Sequence, residues 1–174
     1  MADIIFDTLT VEKALDRLSE SMLAETQAAE SICLIGIQRG GAAVADALQQ
    51  RLQKKGMNVL RGNLDISFYR DDLDTIGPNP EVRPSQLPFD MTGKTLWLVD
   101  DVLYTGRTIR AAMGEIFDYG RPAAIRLLVL LDRGGRQLPI AADATGLTHA
   151  ADPGCSVKLM CDEKGWWIEQ RRVK

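Results

Sequence analysis

Two acids stand side by side at Asp100 and Asp101, directly after the apolar run Thr95-Leu-Trp-Leu-Val99. Four residues further on comes Thr105-Gly106-Arg107-Thr108. The types and the spacing suit one kind of chemistry. A strand that ends in a short loop and opens a helix presents the unpaired N–H groups of the first helical turn, where the helix dipole adds partial positive charge. Thr105, Gly106, Arg107 and Thr108 can therefore cradle a phosphate monoester: glycine allows close backbone approach and the hydroxyls add donors. A carboxylate pair beside that cradle can accept hydrogen bonds from two vicinal ribose hydroxyls, or orient Mg²⁺ through the sugar or water. A sugar phosphate is thus held at both ends. The run is not a Walker loop, because the Gly-x-x-x-x-Gly-Lys spacing is absent. Alone, a double acid reads as a solvated strand end; strand, acids and Thr-Gly-x-Thr in register read as a site.

Other chemistries find little support. His149 is the single histidine, placed in a Gly/Thr/Ala-rich stretch and expected at the surface, so neither a Cys–His pair nor a zinc site is indicated. The three cysteines, Cys33, Cys155 and Cys161, have no metal-type spacing and read as reduced thiols. Met1-Ala-Asp-Ile-Ile lacks the basic start and apolar core of a secretory signal, and no apolar run approaches the roughly 20 residues that span a bilayer. A cytoplasmic protein is expected. The formal net charge of -3 does not favour an obligate nucleic-acid binder, although a local basic patch would escape that count.

The elements that must position the acids follow from periodicity. At 174 residues a single domain is expected. Val11, Ala14, Leu15, Leu18, Met22 and Leu23 share one helical face, with Thr10 as N-cap. Ser31–Ile37 reads as a buried strand broken by Gly40-Gly41, followed by a helix over Ala42–Leu52. Val59, Leu64, Ile66 and Phe68 suggest a strand region ending near Tyr69-Arg70. Residues 69–88 hold four prolines and few aliphatics, and read as a long loop or extended arm. Thr95–Val99 is a strand, Thr105–Tyr119 a helix and Ala124–Leu131 an apolar strand. Residues 138–174 form a hood with a hairpin, Ser156–Cys161 and Trp166–Glu169. The pattern predicts an α/β fold with a mostly parallel twisted sheet and helices on both faces.

The run Leu98-Val99-Asp100-Asp101-Val102-Leu103-Tyr104-Thr105-Gly106-Arg107-Thr108 resembles the signature of type I phosphoribosyltransferases. With Asp65–Leu73, Gly120–Pro122 and Leu131–Pro139 it is similar to the bifunctional pyrimidine operon regulator/uracil phosphoribosyltransferase family. The resemblance implies that Val99 to Thr108, with Arg39 and Gly40, bind 5-phosphoribosyl-1-pyrophosphate (PRPP). The family loop at Gln38-Arg39-Gly40-Gly41 holds pyrophosphate, though relatives commonly have threonine where Arg39 stands here. Arg70 would stabilise departing pyrophosphate, and together with Asp100 and Asp101 would carry catalysis. Mg²⁺ is the implied cofactor, at Asp100 and Asp101. Uracil would be read by backbone groups at Leu131, Asp132 and Arg133. Tyr104 stands where 6-oxopurine enzymes carry an acid, which disfavours a purine substrate.

The same resemblance implies UMP as product, UMP or UTP as effector, and a homodimer or larger homo-oligomer. It also implies binding of pyrimidine operon leader RNA, for which Arg17, Arg133 and Arg136 could build a small patch. Two alternatives stay open: an RNA-binding attenuator with weak or no catalysis, and a purine phosphoribosyltransferase.

Overall fold

In the computed structural model the described residues are 2–26, 31–66, 85–163 and 165–173. The strand β2 (Ile32–Ile37) is buried at all six positions, which fits an inner strand of a sheet covered on both faces. It pairs in parallel with β3 (Val59–Leu64) and with β4 (Thr95–Leu103). Next come β5 (Ala124–Asp132) and β6 (Ala144–Thr148), giving the order β3-β2-β4-β5-β6 with every pairing parallel.

Alternation along the strands assigns the two faces. Trp97, Val99, Leu128 and Leu130 join one core with α1 (Thr8–Glu25) and α2 (Gly40–Lys54). Leu96, Leu98, Leu127 and Val129 join a second core with α3 (Arg107–Tyr119). A period of two sends neighbours to opposite faces, so one strand feeds both cores. Each fully buried leucine contributes about 1.5–3 kcal/mol, enough in sum to hold the strand ends in place.

A second, antiparallel sheet of order β1-β8-β7 forms the hood: β1 (Ala2–Phe6), β8 (Gly165–Arg172) and β7 (Cys155–Asp162). Helix α1 lies between the two sheets, in contact with β6 and β8. The predicted α/β class and the C-terminal hairpin hold.

Several local expectations are corrected. Strand β4 continues through both acids to Leu103, because its pairing with β5 continues as Asp100↔Val129 and Val102↔Leu131. Helix α3 starts at Arg107, not Thr105, since Gly106 takes φ +90° and serves as N-cap. Gly40-Gly41 does not separate strand from helix but forms the first turn of α2. Helix α1 is capped by Asp7 rather than Thr10, whose N–H donates to Asp7 Oδ1 at 2.9 Å. Strand β3 ends at Leu64, and Phe68 lies outside the described residues. Most of the expected loop or arm, up to residue 84, lies outside the described residues; at its end Gln86 exchanges two 2.8 Å backbone hydrogen bonds with Asn63. His149 is half-buried rather than a surface residue, edge-on to Phe6 and 3.3 Å from Gln170 Oε1. Strands β1 and β6 were not anticipated.

Candidate functional site

The C-terminal end of β4 carries both acids. Asp100 is buried, and Asp101 is half-buried with its N–H donating to Asp100 Oδ1 at 3.0 Å. Burial pushes the Asp100 carboxyl well above the usual range, and the neighbouring Asp101 charge adds to that. Such a pair is costly in a free protein and becomes favourable when hydroxyl donors or a cation arrive.

The amino terminus of α2 abuts the pair. A Cβ on Gly40 would lie 2.1 Å from Asp101 Oδ2, and one on Gly41 would lie 2.4 Å from the Val99 carbonyl oxygen. The two glycines thus set the approach of this loop to the acids. Arg39 occupies the N-cap position of α2, and the Gln38–Arg39 peptide is cis.

The cradle lies on the other side. Gly106, the N-cap residue of α3, has no side chain to offer. Thr105 Oγ1 accepts the Arg107 N–H at 3.3 Å. The Thr105 carbonyl is fixed from behind by the N–H groups of Gln137 and Leu138 at 3.0 and 3.1 Å. Arg107 Nε donates to Gln137 Oε1 at 3.0 Å. The α2 terminus thus abuts the carboxylate pair, and the α3 N-cap comes two loop residues after the end of the strand that carries it. N–H groups with partial positive charge beside acids suit a ligand with phosphate and hydroxyl groups together.

A cavity of about 580 Å³ adjoins this strand end, within the range of small-molecule sites, about 300–1,000 Å³. Its sheet side is Val102, Tyr104, Arg133 and Gly135; its hood side is residues 151–157 and Val173. The Arg133 guanidinium lies over the Tyr104 ring at 4.1 Å, and Nη2 donates to the Cys155 carbonyl at 2.9 Å. Arg133 Nε is buried without a hydrogen-bond partner among the described residues. Gly135, at φ +75°, leaves room for Tyr104, because a Cβ there would lie 2.5 Å from the ring. The buried Gln170 holds the hood loop through Asp152 Oδ2 at 2.8 Å.

The structure brings Gly40, Asp100, Asp101 and the Tyr104–Thr108 run to one end of the sheet, with Arg133 at the adjoining cavity. Leu131 is buried in β5, and Asp132 pairs with Arg136. Arg136 also donates to the carbonyls of Tyr104 at 2.7 Å and Ile140 at 3.0 Å, so it braces the cradle. Arg17 Nη2 donates to the Gly146 carbonyl at 3.0 Å. Each of the three candidate RNA-contacting arginines thus holds a backbone carbonyl of its own chain. Arg70 lies outside the described residues. The sequence led us to expect a hood over residues 138–174 but did not single out 151–157 and Val173 as the residues that wall the cavity. No group of three or more His, Cys, Asp or Glu side chains forms a metal site among the described residues. No helix among them is long and apolar enough to cross a membrane. All three cysteines are free, and burial raises the Cys33 thiol.

Comparisons with known proteins identify the family of this chain. Residues 1–157 match the family model of the phosphoribosyl transferase domain. The bifunctional protein PyrR of Caldicellulosiruptor bescii is 46% identical over 160 residues, spanning 91% of this chain and 88% of the relative. The bifunctional protein PyrR of Nostoc punctiforme is 47% identical over 143 residues, spanning 82% and 80%. Among solved structures, a hypoxanthine-guanine phosphoribosyltransferase from Bacillus anthracis superposes with a TM-score of 0.71 over 96% of both chains at 19% identity, a likeness of fold.

Proposed function

Because the chain belongs to the phosphoribosyltransferase family and, within it, to the bifunctional PyrR proteins, we propose that it makes UMP and pyrophosphate from uracil and PRPP and also regulates pyrimidine operon expression. The observation that carries this reading is the close approach of the α2 amino terminus to the Asp100–Asp101 pair on β4, the strand whose end leads into α3.

The donor's 5-phosphate sits on the N–H groups and hydroxyls of Thr105–Thr108. Its ribose hydroxyls donate to Asp100 and Asp101. Its pyrophosphate faces Arg39-Gly40 at the start of α2. Uracil enters the hood cavity and is read by backbone groups at Leu131, Asp132 and Arg133, beside the stacked Tyr104 and Arg133 side chains that wall the cavity. The C1′–oxygen bond to pyrophosphate breaks, the N1–C1′ bond forms, and the N1 proton leaves to solvent or to the departing pyrophosphate. An oxocarbenium-like transition state needs positioning and electrostatics, with no covalent enzyme intermediate. Mg²⁺, when bound with the donor, neutralises pyrophosphate charge. With only two adjacent carboxylates here, Asp100 and Asp101 would hold it through the sugar or water, the substrate completing its shell.

Arg70 is placed in the role of stabilising departing pyrophosphate. Arg70→Ala is expected to lower turnover at least about a hundredfold, roughly 3 kcal/mol of transition-state stabilisation; unchanged turnover in a steady-state assay removes it from the mechanism. The regulatory half requires pyrimidine leader RNA to bind with a salt dependence set by its phosphate contacts; a filter-binding titration without specific retention at low salt rejects it. A cytoplasmic homodimer or larger homo-oligomer, with UMP or UTP as effector, completes the reading. The catalytic half is tested by offering uracil, hypoxanthine, adenine and orotate with PRPP and Mg²⁺. UMP formation from uracil alone supports it; turnover of a purine instead overturns the base assignment.

A further inference from the structure

The phosphate cradle is backed by residues 136–140, and Arg136 is the centre of that backing. Its side chain is half-buried, and all three of its nitrogens are engaged by its own chain. Nη1 donates to the Tyr104 carbonyl at 2.7 Å and reaches the Leu103 carbonyl at 3.4 Å. Nε donates to the Ile140 carbonyl at 3.0 Å, and Nη2 pairs with Asp132. The next two residues continue the pattern through their backbone. The N–H groups of Gln137 and Leu138 donate to the Thr105 carbonyl at 3.0 and 3.1 Å. Gly106 is buried against the same segment: a Cβ on it would lie 3.3 Å from the Ile140 side chain and 3.4 Å from that of Leu138.

The carbonyls that this segment holds decide where the cradle's donors point. A planar trans peptide directs its N–H opposite to its C=O. Holding the Tyr104 carbonyl therefore fixes the direction of the Thr105 N–H, and holding the Thr105 carbonyl fixes that of the Gly106 N–H. Among the described residues neither of these two N–H groups has an acceptor. Donors fixed in advance need less ordering when a ligand arrives. Arginine suits the task, because its planar fork spans several oxygens that a lysine would meet one at a time. By family resemblance Arg136 is a candidate RNA contact; its nitrogens are turned instead to the loop that opens α3.

We propose that Arg136 is a positioning residue for donor binding: by holding the Tyr104 carbonyl it aims the Thr105 N–H at the donor's 5-phosphate. Gln137 and Leu138 aim the Gly106 N–H through backbone alone. The two amides are thus set independently, and only one of them depends on a side chain. The role rests on the cradle reading of Thr105–Thr108 given under the proposed function.

The test compares wild type with Arg136→Ala and Arg136→Lys. The probe is ribose 5-phosphate, a phosphate monoester that lacks the pyrophosphate, titrated by calorimetry. Lysine keeps the charge beside Asp132 but not the fork, so Arg136→Lys serves where Arg136→Ala fails to fold. Wild type is expected to bind, and both variants to bind at least about tenfold more weakly, as for the loss of one charge-assisted hydrogen bond. Wild-type affinity in Arg136→Lys overturns the role, because charge without the fork then suffices.

The local readout is the amide NMR spectrum. In wild type, ribose 5-phosphate is expected to shift both the Thr105 and the Gly106 amide resonances. In Arg136→Lys at saturating ligand the Gly106 shift is kept and the Thr105 shift is lost, while Leu98 in the sheet core keeps its hydrogen-exchange protection. Loss of both shifts with faster exchange at Leu98 is a general loosening and overturns the role. Wild type that takes up no ribose 5-phosphate overturns the cradle reading and this role with it. Wild type that binds, with the Thr105 shift unchanged in Arg136→Lys, overturns this role alone.

Discussion

The helices of this chain begin in two different ways. Helix α1 is closed by its own sequence: Asp7 accepts the Thr10 N–H at 2.9 Å, and hydrogen bonding to Thr10 holds its carboxyl below the usual range. Among the described residues neither Arg39 nor Gly106, the N-cap residues of α2 and α3, gives a side-chain cap; α2 opens against Asp101, and α3 follows the strand that carries both acids. One acid satisfies a helix end and is stabilised as an anion. The other, Asp100, also accepts a backbone N–H, from Asp101, but its burial outweighs that bond and shifts it the opposite way. The difference separates structural from functional use of the same groups. Where the chain needs only to fold, its orphan N–H groups are satisfied internally. Where a ligand must bind, they are left for it.

The largest effect expected is at Gly40. A side chain there collides with Asp101, so Gly40→Val forces the α2 terminus away from the acid pair. A displacement of that kind costs at least about a hundredfold in turnover, measured as UMP formation; near-wild-type rates would show that the close approach has no functional role.

Asp100→Asn sharpens the contrast between the two acids. It is expected to reduce turnover by about tenfold or more, since one ribose acceptor is lost, while stabilising the free protein. The sign follows from linkage: the folded state keeps the Asp100 proton to higher pH than the unfolded chain. Wild-type stability therefore falls as pH rises from the ordinary carboxylate range through the raised pKa, and levels off above it. Asparagine removes that fall. Thermal melts across pH check this; a variant that melts lower than wild type at neutral pH contradicts it.

Asp7→Ala gives the smallest effect and the opposite signature. The melting temperature drops by a few degrees, with kcat and KM unchanged. The Asp7 contribution is present above the ordinary carboxylate range and is lost as pH falls through its lowered pKa. The gap between wild type and variant thus closes in acid. A change in donor KM would show that α1 is not independent of the site.

Much of this arrangement was legible in the chain itself. The apolar run before Asp100, the Thr-Gly-x-Thr spacing and the helical stripe from Val11 to Met22 are local patterns, and local patterns survive folding. What was not legible depends on contacts distant in sequence. β1 exists because Ala2–Phe6 finds β8 some 165 residues later, and its burial pattern shows no clean alternation. Arg136 looks like a surface cation in sequence, yet it turns inward to brace Tyr104. Gly40-Gly41 reads as turn chemistry, whereas its role comes from an acid 61 positions away. The hood wall at 151–157 is set by Gln170 and Arg133 rather than by any motif of its own.

The most direct test of the account is a calorimetric titration of PRPP with Mg²⁺ into wild type and into Thr105→Asp. An aspartate at 105 puts a carboxylate where Thr105 Oγ1 now meets the Arg107 N–H, so it sets a fixed negative charge against the first turn of α3. Wild type is expected to bind the donor. Thr105→Asp is expected to melt no lower but to bind at least about a hundredfold more weakly, from lost charge-assisted hydrogen bonds and like-charge repulsion. Donor affinity within a few fold of wild type in the Thr105→Asp protein would contradict the claim that the open helix terminus is the phosphate site.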